Sequence, residues 1–218
     1  MRLNLLILFL LCVGSVCSQT IPGLPYSVSG HVKKTAVFMR MSTVDADVEI
    51  AKSEQEVIES REKIQQYGKG LDVDLNILKS ATVDTMPSGE LVYQFGISCP
   101  NALSINVVFD RFQLKMGSRL YIVGATSNRY IGAYTSLNNS EAAVLGTELV
   151  EDSKIIIELI EPKENRGSSK LHLGSVIHGY RSLEALIKRS FNNSGICNID
   201  VNCPQGKGFE KQRMLLQC

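Results

Sequence analysis

The chain has 218 residues, of which 44% are hydrophobic, a formal net charge of +1 and no tryptophan. This length suits one sizeable hydrophobic core with a short extension rather than two full domains. The balanced charge gives no reason to expect nucleic acid or an anionic membrane as the main partner, and the lack of tryptophan weakens the case for a site that stacks on sugars or bases.

Residues 1–18 have the layout of a secretory signal peptide. Met1 and Arg2 precede the apolar run LNLLILFLLCVG, and small residues follow it. The run is short for a bilayer span, which favours a cleaved signal over the alternative of an uncleaved anchor. We expect cleavage between Ser18 and Gln19, a secreted protein without a stable membrane anchor, and an oxidising compartment, extracellular or periplasmic, for the remaining cysteines.

Residues 19–70 are predicted to be a leader with one helix. Residues 19–44 contain two prolines and little periodicity, which indicates an extended stretch that lies across the next element. Residues 45–67 are rich in helix formers and begin with Asp45 as a plausible cap, so a solvated amphipathic helix is predicted there. Its narrow apolar stripe consists of Val57, Ile58, Ile64 and Tyr67.

Beyond residue 70 the hydrophobic pattern changes from helical to alternating. The segments ELVYQFGIS, LSINVVFD, RLYIVG, KIIIELIEP and KLHLGSVIHGY place apolar residues on one face, and turn formers separate them. The pattern predicts an antiparallel, jelly-roll-like β-sandwich of about eight strands over residues 71–181. The predicted core consists of Leu91, Tyr93, Phe95, Leu103, Ile105, Val107, Phe109, Leu120, Ile122, Ile155, Ile157 and Leu159.

Few side chains in the sequence could take part in catalysis or metal binding. The histidines, His31, His172 and His178, are too scattered for a metal site, although the last two have the same strand parity. Serine-hydrolase motifs, a phosphate loop, H-E-x-x-H and C-x-x-C are all absent from the sequence. We therefore predict no catalytic residue, no metal site and no cofactor. Cys99 is predicted to be a buried free thiol, with a link to another chain as the alternative.

After residue 181 the alternating pattern ends. Residues 182–196 are predicted to be a linker, in which the basic pair Lys188 and Arg189 is a candidate processing site or, alternatively, ordinary solvated surface. Residues 194–218 offer too few apolar groups for a core and are predicted to be disordered. The disulfide candidates in this tail are Cys197, Cys203 and Cys218.

The tail resembles the start of the mature enzyme in secreted lysyl endopeptidases, which are trypsin-like serine proteases. Its run CNIDVNCP, residues 197–204, matches the Cys-Asn-Ile-Asp-Val-x-Cys-Pro run of that family. The upstream region resembles the pro-region of the same precursors, and SVIHGYRSL, with His178, Gly179 and Tyr180, resembles its closing strand. The pro-region pattern is carried by Phe109, Phe112, Leu114, Gly117, Leu120, Tyr121, Gly132 and Thr135.

The resemblance covers roughly residues 71–210 and implies a zymogen. In it, a β-rich pro-region assists the folding of a trypsin-like protease domain, its cognate partner, and keeps that domain inactive. The family's catalytic His, Asp and Ser settings cannot be placed on any residue here, so the chain alone should be inactive. The resemblance also implies that residues 197–218 are a truncated start of the protease, whose first cysteines pair beyond Cys218. Two alternatives remain open: a secreted β-sandwich binding or adhesion module, and a protease inhibitor acting in trans.

Overall fold

The computed structural model describes residues 23–29, 36–60, 66–182 and 184. Within these ranges the chain is mainly β, with one helix of 15 residues and a few short helical segments. The alternation of β-branched and aromatic residues that predicted strands is typical of a pleated, buried surface. The elements are β1 (Val37–Arg40), α1 (Ala46–Ser60), β2 (Gly68–Asn76), α2 (Ile77–Ser80), β3 (Thr82–Thr85), β4 (Leu91–Ser98), β5 (Ser104–Gln113), β6 (Arg119–Gly124), β7 (Tyr130–Tyr134), β8 (Leu145–Gly146), β9 (Lys154–Glu161) and β10 (Lys170–Gly179).

The strands form two sheets that pack face to face. Sheet A has the order β1-β4-β9-β6-β7, and sheet B has the order β2-β10-β5-β8. In sheet A, β3 pairs with residues 91–94 of β4 and β1 with residues 95–98, so both flank the same strand. The predicted mainly β, antiparallel sandwich is confirmed. One detail departs from it, because β1 runs parallel to β4.

The core lies between the two sheets. Phe95 of β4 and Ile157 of β9 come from sheet A, Val107 of β5 and Val176 of β10 come from sheet B, and all four belong to one buried hydrophobic cluster. Every predicted core residue is buried except Leu103, which is 52% exposed. Its assignment to the core was wrong because β5 begins one residue later, at Ser104, and Leu103 is left at the end of the sandwich.

The outer face of sheet A is also covered. Residues 23–29, here called the strap, lie on it, and Tyr26 packs against Val92 of β4, Tyr121 of β6 and Ile160 of β9. Seven consecutive residues of β4 are therefore buried, on both faces of the strand. The sequence pattern placed the apolar residues of this strand on one face, but its other face is buried as well, because part of the leader lies on the sheet.

The predicted helix begins where expected but ends earlier. The Asp45 carboxylate accepts the backbone N–H groups of Asp47 and Val48, which confirms the cap. The described helix stops at Ser60. Tyr67 lies outside it, directly before β2, where its carbonyl accepts the backbone N–H groups of Tyr180 and Arg181. Ile58, placed on the apolar stripe, is 78% exposed. Ile64 and the side chain of Val57 lie outside what the structure describes.

A bulge in β10 changes the predicted relation of two histidines. The pairing register of β10 shifts between Leu173 and Ser175, so that His172 lies on the outer face of sheet B whereas His178 is buried. Gly174 sits at the bulge, where a Cβ atom would lie 2.9 Å from the carboxyl carbon of Asp110. Equal strand parity therefore does not place the two histidines on one face.

Candidate functional site

The positions predicted from the sequence for processing and cross-linking lie outside the described residues. Of the predicted linker, only Ser182 and Glu184 are described, and the predicted signal peptide and disordered tail are not. The undescribed candidates are Ser18, Gln19, Lys188, Arg189, Cys197, Cys203 and Cys218. Among the described residues, no helix is long and apolar enough to cross a bilayer, and no three metal-ligating side chains gather as a metal site would require.

The carboxyl end of β10 is the point where the chain leaves the sandwich towards the predicted linker. The backbone N–H groups of Tyr180 and Arg181 both donate to the Tyr67 carbonyl, at 3.0 and 3.1 Å. The buried Arg181 side chain donates to the Ile50 carbonyl of α1 at 3.4 Å and lies 3.5 Å from Glu54. Tyr180 and Arg181, here called the exit of the chain from the sandwich, are thus held at the start of β2, and Arg181 is also held against α1.

Two buried polar groups lie beside this exit. His178 is 1% exposed, and its Nδ1 has no hydrogen-bond partner in the described structure. The Tyr180 hydroxyl is likewise buried without a partner there. Burial lowers the pKa of His178 and raises that of Tyr180, because both charged forms lose hydration. Both side chains are therefore held neutral at physiological pH.

A groove of about 490 Å³ lies between the β6–β7 turn and the segment before β9. Arg129 and Glu151 form an exposed ion pair at 2.6 Å on its rim, and the Tyr130 ring, 39% exposed, stands edge-on to Tyr121. An aromatic face beside paired charges can hold a small polar ligand. The groove is lined by Asn128, Arg129, Tyr130, Ile131, Leu149, Val150 and Glu151.

The carboxylate of Asp152 holds the β6–β7 turn that flanks this groove. It accepts the backbone N–H groups of Thr126, Ser127 and Lys154 at 2.8 to 3.0 Å. Burial alone would raise the pKa of Asp152, but the N–H groups of Ser127, Lys154 and Thr126 lower it overall. The turn is therefore held by an ionised side chain.

On the outer face of sheet B, His172 lies between two carboxylates. Its Nδ1 is 2.6 Å from Asp110 and its Nε2 is 3.0 Å from Asp74. The hydrogen bond from His172 lowers the pKa of Asp110. An Asp–His pair activates a nucleophile only when the second ring nitrogen faces a hydroxyl or thiol. Here that nitrogen faces Asp74, so the arrangement is a hydrogen-bond network rather than part of a triad.

The remaining sequence features have structural roles. Cys99 is buried and unpaired, as predicted, and burial raises the pKa of its thiol to about 11, which makes it unreactive. Of the residues that carry the pro-region resemblance, Phe109 and Phe112 pack with ring centroids 6.1 Å apart. Gly117, with φ of 82°, forms the turn before β6.

Sequence reasoning missed Glu158, which accepts backbone N–H groups from the strap although it is fully buried. The one available signal was a charged residue inside the apolar run KIIIELIE.

The chain matches no family model. Among solved structures it is similar to the structure of CBM35 from Paenibacillus barcinonensis, with 16% sequence identity over 50% of this chain and 98% of that chain. The TM-score is 0.21, which is too low to carry an argument about fold or function.

Proposed function

We propose that this chain is the pro-region of a secreted trypsin-like serine protease of the lysyl endopeptidase type, bearing the first residues of the enzyme. It assists the folding of the protease domain and keeps that domain inactive until the linker is cut. The observation that carries the proposal is the run CNIDVNCP at residues 197–204, which follows a sandwich and a basic linker. Export through the signal-like residues 1–18 belongs to the same proposal.

The point at which the described sandwich ends supports this proposal. The last strand, β10, ends at Gly179, and Arg181 is fixed against α1 and β2. Cleavage at residues 182–196 would therefore remove no core residue and would leave both sheets paired. A pro-region that is released as a folded unit requires this separation between its core and the cut.

On this proposal the chain acts by binding rather than by catalysis. Within the described residues, the only histidine with a carboxylate partner, His172, faces Asp74 instead of a nucleophile. Burial holds the Cys99 thiol protonated at neutral pH, since its pKa is raised to about 11. The partner is the protease domain, and the contact surface must come from the sheets, their edges or the loops.

The test is a refolding and inhibition assay with a mature lysyl endopeptidase. The denatured enzyme is refolded alone, with the full chain, or with the Phe109→Asp chain, whose core is disrupted. We expect the wild-type chain to raise the yield of active enzyme and to slow the native enzyme, and the variant to do neither. If the folded chain has no effect in either assay on a panel of trypsin-like proteases, the proposal fails.

A second candidate function, a secreted binding module, is favoured by the groove beside Tyr130. Its exposed aromatic face and its Arg129–Glu151 pair suit a small polar ligand such as a sugar. The discriminating experiment is a glycan array probed with the wild-type chain and with Tyr130→Ala, with Tyr67→Phe as a control away from the groove. If the chain binds a glycan in the absence of any protease, and if Tyr130→Ala abolishes that binding, this candidate is favoured over the pro-region.

A further inference from the structure

We propose that the outer face of sheet A is a peptide-binding site and that the strap, residues 23–29, occupies it as a tethered ligand. The peptide class is a short turn that carries a tyrosine after a proline and presents two successive backbone N–H groups. This inference does not depend on the proposed function, because it concerns only contacts between the strap and sheet A.

The site is centred on the carboxylate of Glu158 in β9. Its Oε1 accepts the backbone N–H of Tyr26 at 2.5 Å, and its Oε2 accepts that of Ser27 at 2.9 Å. The Gln94 side-chain amide donates to the same Oε2 at 2.8 Å. Glu158 is 0% exposed, and in the described structure no cationic side chain pairs with it. A buried carboxylate is costly unless hydrogen-bonded, so the strap's N–H groups stabilise this one.

An apolar pocket beside Glu158 receives the side chain of Tyr26. The ring packs against Val92, Tyr121 and Ile160 and is almost completely buried. The Tyr121 hydroxyl donates a hydrogen bond to the Gly23 carbonyl. Sheet A thus contacts two N–H groups, one carbonyl and one aromatic side chain of the strap. Backbone hydrogen bonds combined with a side-chain pocket are the usual means of recognising a peptide.

The strap behaves as a separate unit that could leave without opening the core. It forms its own turn, in which the N–H groups of Val28 and Ser29 donate to the Pro25 carbonyl at 3.1 and 3.2 Å. No residue of the strap pairs with a strand in the described structure. Its apolar cluster with Tyr121 and Ile160 is distinct from the cluster between the sheets. These features describe a ligand seated on a sheet rather than a strand of that sheet.

Because the strap is covalently attached to the sandwich that it contacts, it acts at a high effective concentration, on the order of millimolar. A free peptide competes poorly with it. A test therefore either follows the strap in place or weakens it so that a peptide can bind.

The first measurement is hydrogen exchange on the intact chain, comparing wild type with Glu158→Gln. The matched control is Glu161→Gln, because Glu161 is equally buried in the same strand but accepts N–H groups from Gly167 and Ser169. We expect Glu158→Gln to speed exchange at Tyr26 and Ser27 by about tenfold or more, with β5 and β10 unchanged. Glu161→Gln should leave both strap amides protected. If the strap exchanges only together with the core in every chain, the proposal is wrong.

The second measurement uses the full chain with Ser27→Pro, which removes one N–H donated to Glu158 and leaves sheet A intact. A fluorescent peptide of residues 21–30, IPGLPYSVSG, is titrated against it, with the same peptide carrying alanine for tyrosine as a control. We expect saturable binding to the Ser27→Pro chain, at least about tenfold weaker binding to wild type, and little binding of the alanine peptide. No binding to a folded Ser27→Pro chain would overturn the proposal. Failure of that chain to fold would do the same, since a ligand is dispensable for the sandwich.

Discussion

The side chain of Arg181 donates a hydrogen bond to the main-chain carbonyl of Ile50, 3.4 Å away, and so ties the last residues of the sandwich to α1. Arg181 is buried, and its second partner, Glu54, is half exposed. The carbonyl bond therefore matters more than the ion pair, which solvent screens. This contact holds the chain against α1 at the last residues before the proposed linker.

Arg181→Ala should loosen α1 and the exit of the chain. We expect a loss of about 1–3 kcal/mol in the free energy of unfolding, because a buried hydrogen bond to a charged group is removed. Urea denaturation measures the loss, and limited proteolysis should show faster cutting within Ala46–Ser60. Arg129→Ala, which removes an exposed ion pair, is the control and should change stability by less than about 1 kcal/mol. Equal effects of the two variants would contradict the role given to Arg181.

Asp152→Asn should destabilise the β6–β7 turn. An amide oxygen is a weaker acceptor than a carboxylate for the N–H groups of Thr126, Ser127 and Lys154, so we expect a loss of about 1–3 kcal/mol at neutral pH. Since the pKa of Asp152 is lowered in the fold, its contribution is present above about pH 4 and is lost as the pH falls through that lowered pKa. The difference between variant and wild type should therefore shrink in acid. Glu151→Gln is the control. Glu151 precedes Asp152 but is exposed, so its replacement should change the free energy of unfolding very little.

His178 should make the fold less stable in mild acid. Its pKa is lowered from the ordinary 6.5 by burial, so the unfolded chain binds a proton at a higher pH than the folded chain does. Stability should therefore fall as the pH drops below about 6.5 towards the lowered value. Thermal melts at about pH 7.5 and 5.5 measure this fall as a drop in melting temperature. The drop should be smaller in the His178→Gln chain and unchanged in the His172→Gln chain. A wild-type melting temperature that rises on acidification would contradict the assignment.

Phe109→Asp should prevent folding. Phe109 is completely buried between the sheets, and an aspartate there would place an unpaired charge in the core. Gln113→Asp, an exposed change on the same strand, is the matched control and should fold normally. Circular dichroism and gel filtration compare the two. A soluble Phe109→Asp chain with a cooperative melt would mean that the faces of β5 are assigned wrongly.

The sheets could be predicted from the sequence because apolar alternation depends on local residues alone. Phe95, Val107 and Ile157 were placed correctly in the core for this reason. The β10 bulge could not be predicted, since it depends on Asp110 lying over Gly174 from a neighbouring strand.

The site on sheet A was missed for a related reason. Glu158 becomes a buried acceptor because the strap, whose Tyr26 lies 132 residues earlier in the chain, folds over it. No spacing or motif records a contact of that sequence separation. The predicted processing residues, by contrast, came from local composition and from a resemblance, and they stay predictions.

The measurement that tests the pro-region account most directly is limited digestion of the folded chain with a lysine-specific trypsin-like protease, followed by mass spectrometry over time. The account predicts a cut at Lys188, inside residues 182–196, as early as the cuts at Lys207 and Lys211 in the tail, and a resistant sandwich that retains Arg181. Replacing Lys188 with glutamine should delay release of the tail and leave the sandwich resistant. If the protease leaves the linker intact while it digests the strands between Gly68 and Gly179, the account is contradicted.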